Sequence, residues 1–413
     1  MEDLSDNGKW DLIQNRMGPS DDGPRVGCPN HRPPGEALGM NITDCPDLEG
    51  ARSLIGRTRE ELPTPVMLLD LGVAARNIAF MAKRLSGAAG LRPHCKSHKC
   101  AELAKLQIEA GAIGLTAATA WEAVAFANRG FEDLLIANEV VGQDKLDHLA
   151  AAARKARITV AVDDATNAAE LARAARRAKT EFGVLVDVDV GMGRCGVRSP
   201  EEALGVAQAV ARLPGLRLRG VMGYEGHCMH ELDKKARCAK ASAAMNRLMG
   251  VVGSLAAAGW PAEIVSAGGT ATSDCTGRFD GVTEIQAGSY VLMDNARSAT
   301  APEFEIALSV LATVISRHGS TIVIDAGRKT VGLEVAAPRL LGLAASHRKA
   351  GDEHLIFELG EERPLRVGDR VEVVAGYVPT TINLHDFFLV MEAGRVADVW
   401  PVLAPRAGRP WAL

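Results

Sequence analysis

The sequence has no apolar run of 18 residues, no CxxC pair and no marked excess of charge of either sign. Each absence removes a class of function. Without a long apolar run no transmembrane helix is expected, and the acidic, polar start MEDLSDNGKW argues against a secretory signal. A net charge of −4 over 413 residues gives no general case for nucleic-acid binding. The eight cysteines (Cys28, Cys45, Cys95, Cys100, Cys195, Cys228, Cys238 and Cys275) are scattered, which suits reduced thiols of a cytoplasmic protein. CPNH at 28–31 offers only Cys28 and His31 to a metal, with Cys45 far off, so a tail segment without zinc is the better reading.

What the chain does have is length enough for two domains and a large core. Residues 1–60 are rich in Gly, Pro, Asp and Asn without an apolar period, and are expected to form an irregular arm on the body or on a partner subunit. Order is expected from TPVMLLDL (64–71). Strand-like runs then follow at LRPHCKS, AIGLTAAT, DLLIANE, RITVAVDD, FGVLVDVDV, LRGVMGYE, EIVSAGGT and EIQAGSYV. Ala-rich helical stretches such as TNAAELARAARRAK separate most of them. Eight strands with helical crossovers predict an α/β fold, a (β/α)8 TIM barrel over residues 61–300, with an open doubly wound sheet as the alternative. Past residue 300 the helices give way to short β-like runs punctuated by HGS, RVGDR and EAGR, which predicts an antiparallel β domain over 301–413. The early strand 64–71 precedes the barrel and is expected to pair into that domain.

Barrel enzymes keep their sites at the C-terminal ends of the strands, so the residues there form a single inventory. RPHCKSHKC (92–100) alternates Arg92, His94, Lys96 and His98 with a period of two, which suits a strand ending at a loop and puts Lys96 at its end. The fifth strand ends in DVDVGMGRCG, with Asp187, Asp189 and Arg194. The sixth ends in Tyr224, Glu225 and His227, the seventh in SAGGTAT, the eighth in Gly288, Ser289 and Tyr290. Barrels often bind phosphate between their last two loops, where backbone N–H groups attract an anion. Gly268 and Gly269 permit close approach, and Thr270 and Thr272 add hydroxyls. A lysine facing a phosphate cradle suggests pyridoxal phosphate, which is held on lysine as a Schiff base and serves as an electron sink. Arg194 and Tyr224 would then face the ring oxygen and ring nitrogen, although Arg194 can equally close its loop through Asp187 or Asp189.

TPVMLLDL, RPHCKSHK, GMGRCGV, GYEGH, SAGGTAT, AGSYV and TINLHD occur in one order, and with them the chain resembles the D-threonine aldolase and eukaryotic-type D-serine dehydratase family from about residue 60 to 405. The resemblance implies fold-type III pyridoxal-phosphate chemistry on an alanine-racemase-like barrel with a C-terminal β domain, usually paired as a homodimer. It implies Lys96 as the cofactor lysine, Arg194 and Tyr224 beside the ring, and Gly268, Gly269, Thr270, Gly288, Ser289 and Tyr290 around the phosphate. The pattern breaks at one place. Relatives commonly carry a metal pair, His-x-Cys or His-x-Asp, ahead of a T-x-N-L-x-D segment. Counting back from Asn383 in GYVPTTINLHD puts Tyr377 and Pro379 at those positions. Neither suits such a metal, so no metal site is expected. His385 next door is read without a metal role.

These readings imply a lyase of the aldolase type that cleaves the Cα–Cβ bond of a β-hydroxy-D-amino acid, independently of metal. Tyr377, if a nearby cation activates it, and His227 are the candidate acid–base groups. The alternatives are a racemase, epimerase or transaminase using Lys96 and Tyr377 on two faces, a D-serine-type dehydratase, and a non-catalytic cofactor-binding homologue. The expected partner is a small amino-acid substrate, with no nucleic acid and no membrane.

Overall fold

The computed structural model describes residues 46–360 and 365–403. Cys28, His31 and Cys45 lie outside them. Strand β1 (Val66–Asp70) comes first and does not join the barrel. Eight parallel strands form the barrel: β2 (Gly90–Leu91), β3 (Leu115–Ala117), β4 (Asp133–Ile136), β5 (Arg157–Val162), β6 (Phe182–Asp187), β7 (Leu216–Gly223), β8 (Ile264–Ala267) and β9 (Glu284–Ile285). Their order runs β2-β9-β8-β7-β6-β5-β4-β3. A parallel bridge between His94 and Thr116 closes the ring, with Thr116 N–H donating to Pro93 O at 2.9 Å. The barrel reading therefore holds, and the open sheet does not.

The period-two rule of strands sorts the barrel's side chains into two sets. Leu135, Ala161, Leu185, Met222 and Ile264 form a cluster of their own inside the ring. Their neighbours Leu134, Ile136, Val160, Val162, Val184 and Val186 pack outward into the large core under the helices. Strands apolar on both faces fit a sheet buried on both sides. The helices are α1 (Pro46–Arg52), α2 (Leu71–Leu85), α3 (Ala101–Glu109), α4 (Ala120–Asn128), α5 (Gln143–Ala152), α6 (Ala165–Ala178), α7 (Pro200–Arg212) and α8 (Lys234–Ala257), followed by the short α9 (Ser273–Thr276), α10 (Asn295–Ser298) and α11 (Val378–Ile382). α6 shows how the sequence makes them. Asp164 caps it by accepting from the N–H groups of Thr166 and Asn167, and Lys179 ends it in the left-handed region. Its face of Ala168, Leu171, Ala172 and Ala175 is buried. Burying Leu171 contributes about 2 kcal/mol, and Asp164→Ala would cost about 1 kcal/mol.

The second sheet comprises β1, β10 (Leu308–His318), β11 (Thr321–Ile324), β12 (Arg339–Leu340), β13 (Ala345–Ala350), β14 (Leu355–Leu359), β15 (Arg370–Val374), β16 (Phe387–Glu392) and β17 (Arg395–Pro401). β1 lies antiparallel to β10 and parallel to β16.

Two departures from expectation are physical. α1 falls within the segment read as irregular: Leu48 and Ala51 are buried with Val396 and Val399 of β17, and Gly56 N–H donates to Val396 O at 2.8 Å. Seven residues are too few to show a helical period. The cysteines are not all reduced thiols either. Cys238 of α8 and Cys275 of α9 form a disulfide, with Cα atoms 5.6 Å apart. That separation lies in the range a disulfide needs. The pairing arises from packing of α8 on the loop after β8, which no local spacing announces. Among the described residues no helix is long and apolar enough to cross a membrane.

Candidate active site

A cavity of about 280 Å³ opens at the C-terminal ends of the barrel strands. Lys96, Arg194, Tyr224, Gly268, Gly269, Thr270, Gly288, Ser289 and Tyr377 all line it, so the fold brings these sequence candidates together. β2 is only two residues long, and Lys96 sits in the single turn Cys95–Ser97 that follows. Burial is the main force on its amine and lowers its pKa, the Arg194 charge lowers it further, and Glu122 opposes both. A larger share of neutral amine is what condensation with a carbonyl requires. Lys99, three residues on, turns elsewhere: Nζ donates to Asn383 Oδ1 at 2.8 Å and pairs with Glu122 Oε1 at 3.2 Å.

The far end of the cavity is a loop pinned by one carboxylate. Glu225, fully buried, accepts from Gly268 N–H at 3.0 Å, Thr272 Oγ1 at 2.7 Å and Thr276 Oγ1 at 2.6 Å. Gly268 holds φ at +79°, and a Cβ there would meet Ile285 Cδ1 at 2.7 Å. A Cβ on Gly288 would meet His94 O at 2.5 Å. Gly269 N–H donates to Thr272 Oγ1, so the amides of both glycines are taken. Among the described residues those of Thr270 and Ser289 make no hydrogen bond and stay open to an anion. Glu225, not the glycines alone, shapes this cradle.

Two candidates stand apart. His227 is exposed in the turn Gly226–Cys228 and does not line the cavity. The Tyr290 side chain is fully buried in the core and accepts from Gln107 Nε2 at 2.7 Å; only its backbone comes near, donating to Thr270 Oγ1 at 3.1 Å.

Electrostatics separate the remaining groups. Burial pushes the Tyr224 hydroxyl up to about 12. Burial also raises Tyr377, and the Arg297 charge pulls it back without winning. Tyr377 is therefore protonated near neutral pH, where activation by a cation would have made it a base. Asp187 is pushed up to about 8, first by burial and then by Glu139, with Arg194 opposing. Among the described residues no ion pair joins Arg194 to Asp187 or Asp189; Asp189 closes the loop by accepting from the N–H groups of Gly191 and Gly193. His94 lines the cavity as a neutral ring, well below its ordinary value through burial. His385 is held by Thr330 O at 2.8 Å.

Arg297 was not found from the sequence. It lines the cavity, and its place depends on Asp294, whose Oδ1 accepts from Arg297 N–H at 2.9 Å and whose Oδ2 accepts from Val378 N–H at 3.0 Å. One buried carboxylate thus sets α10 and the start of α11, and with it Tyr377. MDNAR shows only a capping aspartate followed by a basic residue, with nothing to say which way the arginine faces.

Known proteins resemble this chain along most of its length. The family model for the alanine racemase N-terminal domain matches residues 69–296, and one for a serine dehydratase domain matches 307–391. A 3-hydroxy-D-aspartate aldolase of Paracoccus denitrificans is 35% identical over 371 residues, covering 86% of this chain and 95% of that protein. A D-threonine aldolase of an Arthrobacter species is 35% identical over 350 residues, covering 83% and 92%. The crystal structure of D-threonine aldolase from Filomicrobium marinum aligns with a TM-score of 0.80 at 34% identity, covering 84% of this chain and 96% of that one.

Proposed function

The chain belongs to the alanine racemase N-terminal-domain family, alongside the D-threonine and 3-hydroxy-D-aspartate aldolases, and on that footing we propose that it is a pyridoxal-phosphate-dependent carbon–carbon lyase acting on a β-hydroxy-D-amino acid. The observation that carries the reading is a single cavity with a buried lysine amine at one end and open backbone donors on a glycine loop at the other. Lys96 would hold the cofactor, and Gly268, Gly269, Thr270, Gly288 and Ser289 would surround its phosphate. Arg194 and Tyr224 would flank its ring. The bound cofactor supplies an electron sink for the pair released at Cα when the bond to Cβ breaks.

The protein supplies the proton traffic. Aldol cleavage removes the β-hydroxyl proton and returns one proton to Cα, leaving an aldehyde and glycine. The lowered pKa of Lys96 favours a neutral amine that can accept a proton. The raised pKa of Tyr377 favours a phenol that can give one. His227, exposed and outside the cavity, is the weaker candidate. Tyr377 and Pro379 support a reaction that uses no divalent metal at that place.

The proposal includes a homodimer, checked by light scattering, and a cytoplasmic location, which reduced Cys238 and Cys275 in protein isolated under alkylation would support. The decisive experiment incubates holoenzyme with panels of D- and L-amino acids and identifies every product. Glycine plus an aldehyde from a β-hydroxy-D-amino acid supports the lyase. The opposite enantiomer without aldehyde would replace it with the racemase, and a keto acid with ammonia would replace it with the dehydratase.

A further inference from the structure

The reaction as described leaves one cation of the cavity without work. Arg297 is 9% exposed, lines the cavity, and its Nη1 has no hydrogen-bond partner among the described residues. A buried guanidinium left unpaired is costly, so such a group is normally matched by an anion. Asp294, three residues before it, interacts with the charge but directs both oxygens at backbone N–H groups, those of Arg297 and Val378. The groups that feel the Arg297 charge in the cavity, Lys96, Tyr224 and Tyr377, are cationic or neutral. Among the described residues no carboxylate forms an ion pair with Arg297.

We propose that Arg297 is the carboxylate-binding residue of this cavity, holding a carboxylate of the amino-acid substrate. Guanidinium presents donors in a planar fork that matches carboxylate in a bidentate pair. Asp294 fixes the backbone of the short element that carries Arg297, and the side chain lines the cavity. The carboxylate has two sources: the α-carboxylate of any amino acid, or a second one on the side chain of a β-hydroxy dicarboxylic amino acid. This inference rests on the proposed amino-acid reaction, and its test is built to fail separately from it.

Holoenzyme carrying Arg297→Gln and Arg297→Lys is compared with wild type, with cofactor affinity and thermal melting as controls on the fold. Acetate and succinate, which cannot react, are titrated against the cofactor's absorbance. KM and kcat are measured for D-threonine and 3-hydroxy-D-aspartate. Probe affinity is expected to fall roughly 30-fold or more in the Gln variant, with the Lys variant between and cofactor affinity unchanged. A fall in kcat/KM shared by both substrates identifies the α-carboxylate, and a fall confined to 3-hydroxy-D-aspartate identifies the side-chain one. If the Gln variant sheds its cofactor, the Lys variant, which keeps the charge and loses the fork, carries the comparison. Unchanged probe affinity in the variants overturns the proposal. Wild type that binds the probes through Arg297 yet cleaves neither substrate would sink the lyase and leave the carboxylate site standing.

Discussion

Lys96 and Lys99 share one loop and differ in what surrounds them. Burial lowers the first, while the second is held by Asn383 and Glu122, so only Lys96 offers an amine to the cavity. Borohydride reduction of holoenzyme should therefore fix the cofactor on the peptide containing Lys96; label on Lys99 alone would end that assignment. Asp187 permits a test of pH dependence. Its folded-state pKa of about 8 lies above the ordinary 3.8, so the folded chain binds more protons than the unfolded one between those values. Stability should fall as pH rises from about 4 to about 8, with no further loss from this group beyond. Asp187→Asn should flatten that fall, which melting curves at pH 5 and pH 8 would reveal. A melting difference unaltered by the substitution would show that protonation of Asp187 does not set it. Lys96 was legible because strand alternation and the loop around it are local. Arg297 was not, because its orientation is set by Asp294 and by Val378 from a distant element.

At the level of elements, the barrel strands were readable from period and length, yet their ends were not. Of LRPHCKS only Leu91 lies in a strand, and Cys95–Ser97 becomes the turn that presents Lys96. The glycine loop after β8 likewise looked self-sufficient in sequence, whereas its shape depends on Glu225 from the loop after β7. Glu225→Gln exchanges an acceptor-only group for one that must turn donors toward some of the same partners. Each buried donor left unpaired costs roughly 1–3 kcal/mol. Cofactor affinity of the apoenzyme should fall about tenfold or more, while Lys96 remains the site of borohydride labelling. Affinity within twofold of wild type would mean that the loop holds its form without the carboxylate.

Across the whole molecule, the β domain completes the mouth of the barrel. β1 precedes the barrel strands and pairs with β10 and β16, and Tyr377, at the start of α11, lines the cavity. The bonds that hold α11 include Val378 N–H to Asp294, Lys99 to Asn383, and Gly332 N–H to Thr381 Oγ1 at 2.9 Å. That placement gives GYVPTTINLHD its meaning. Tyr377 enters the cavity, and Pro379 is buried in the first turn of α11, where it lacks any donor atom for a metal. Prolonged chelation of holoenzyme followed by gel filtration should leave turnover unchanged. Tyr377→Phe then reports on the proton donor alone, since it keeps the ring and removes the hydroxyl. A loss of kcat on the order of 100-fold or more, with the cofactor absorbance intact, is expected for a positioned general acid. Full activity of that variant would make Tyr377 a packing residue and return the proton to another group. A stoichiometric metal whose removal abolishes turnover would refute the metal-free reading, because neither Tyr377 nor Pro379 could account for it.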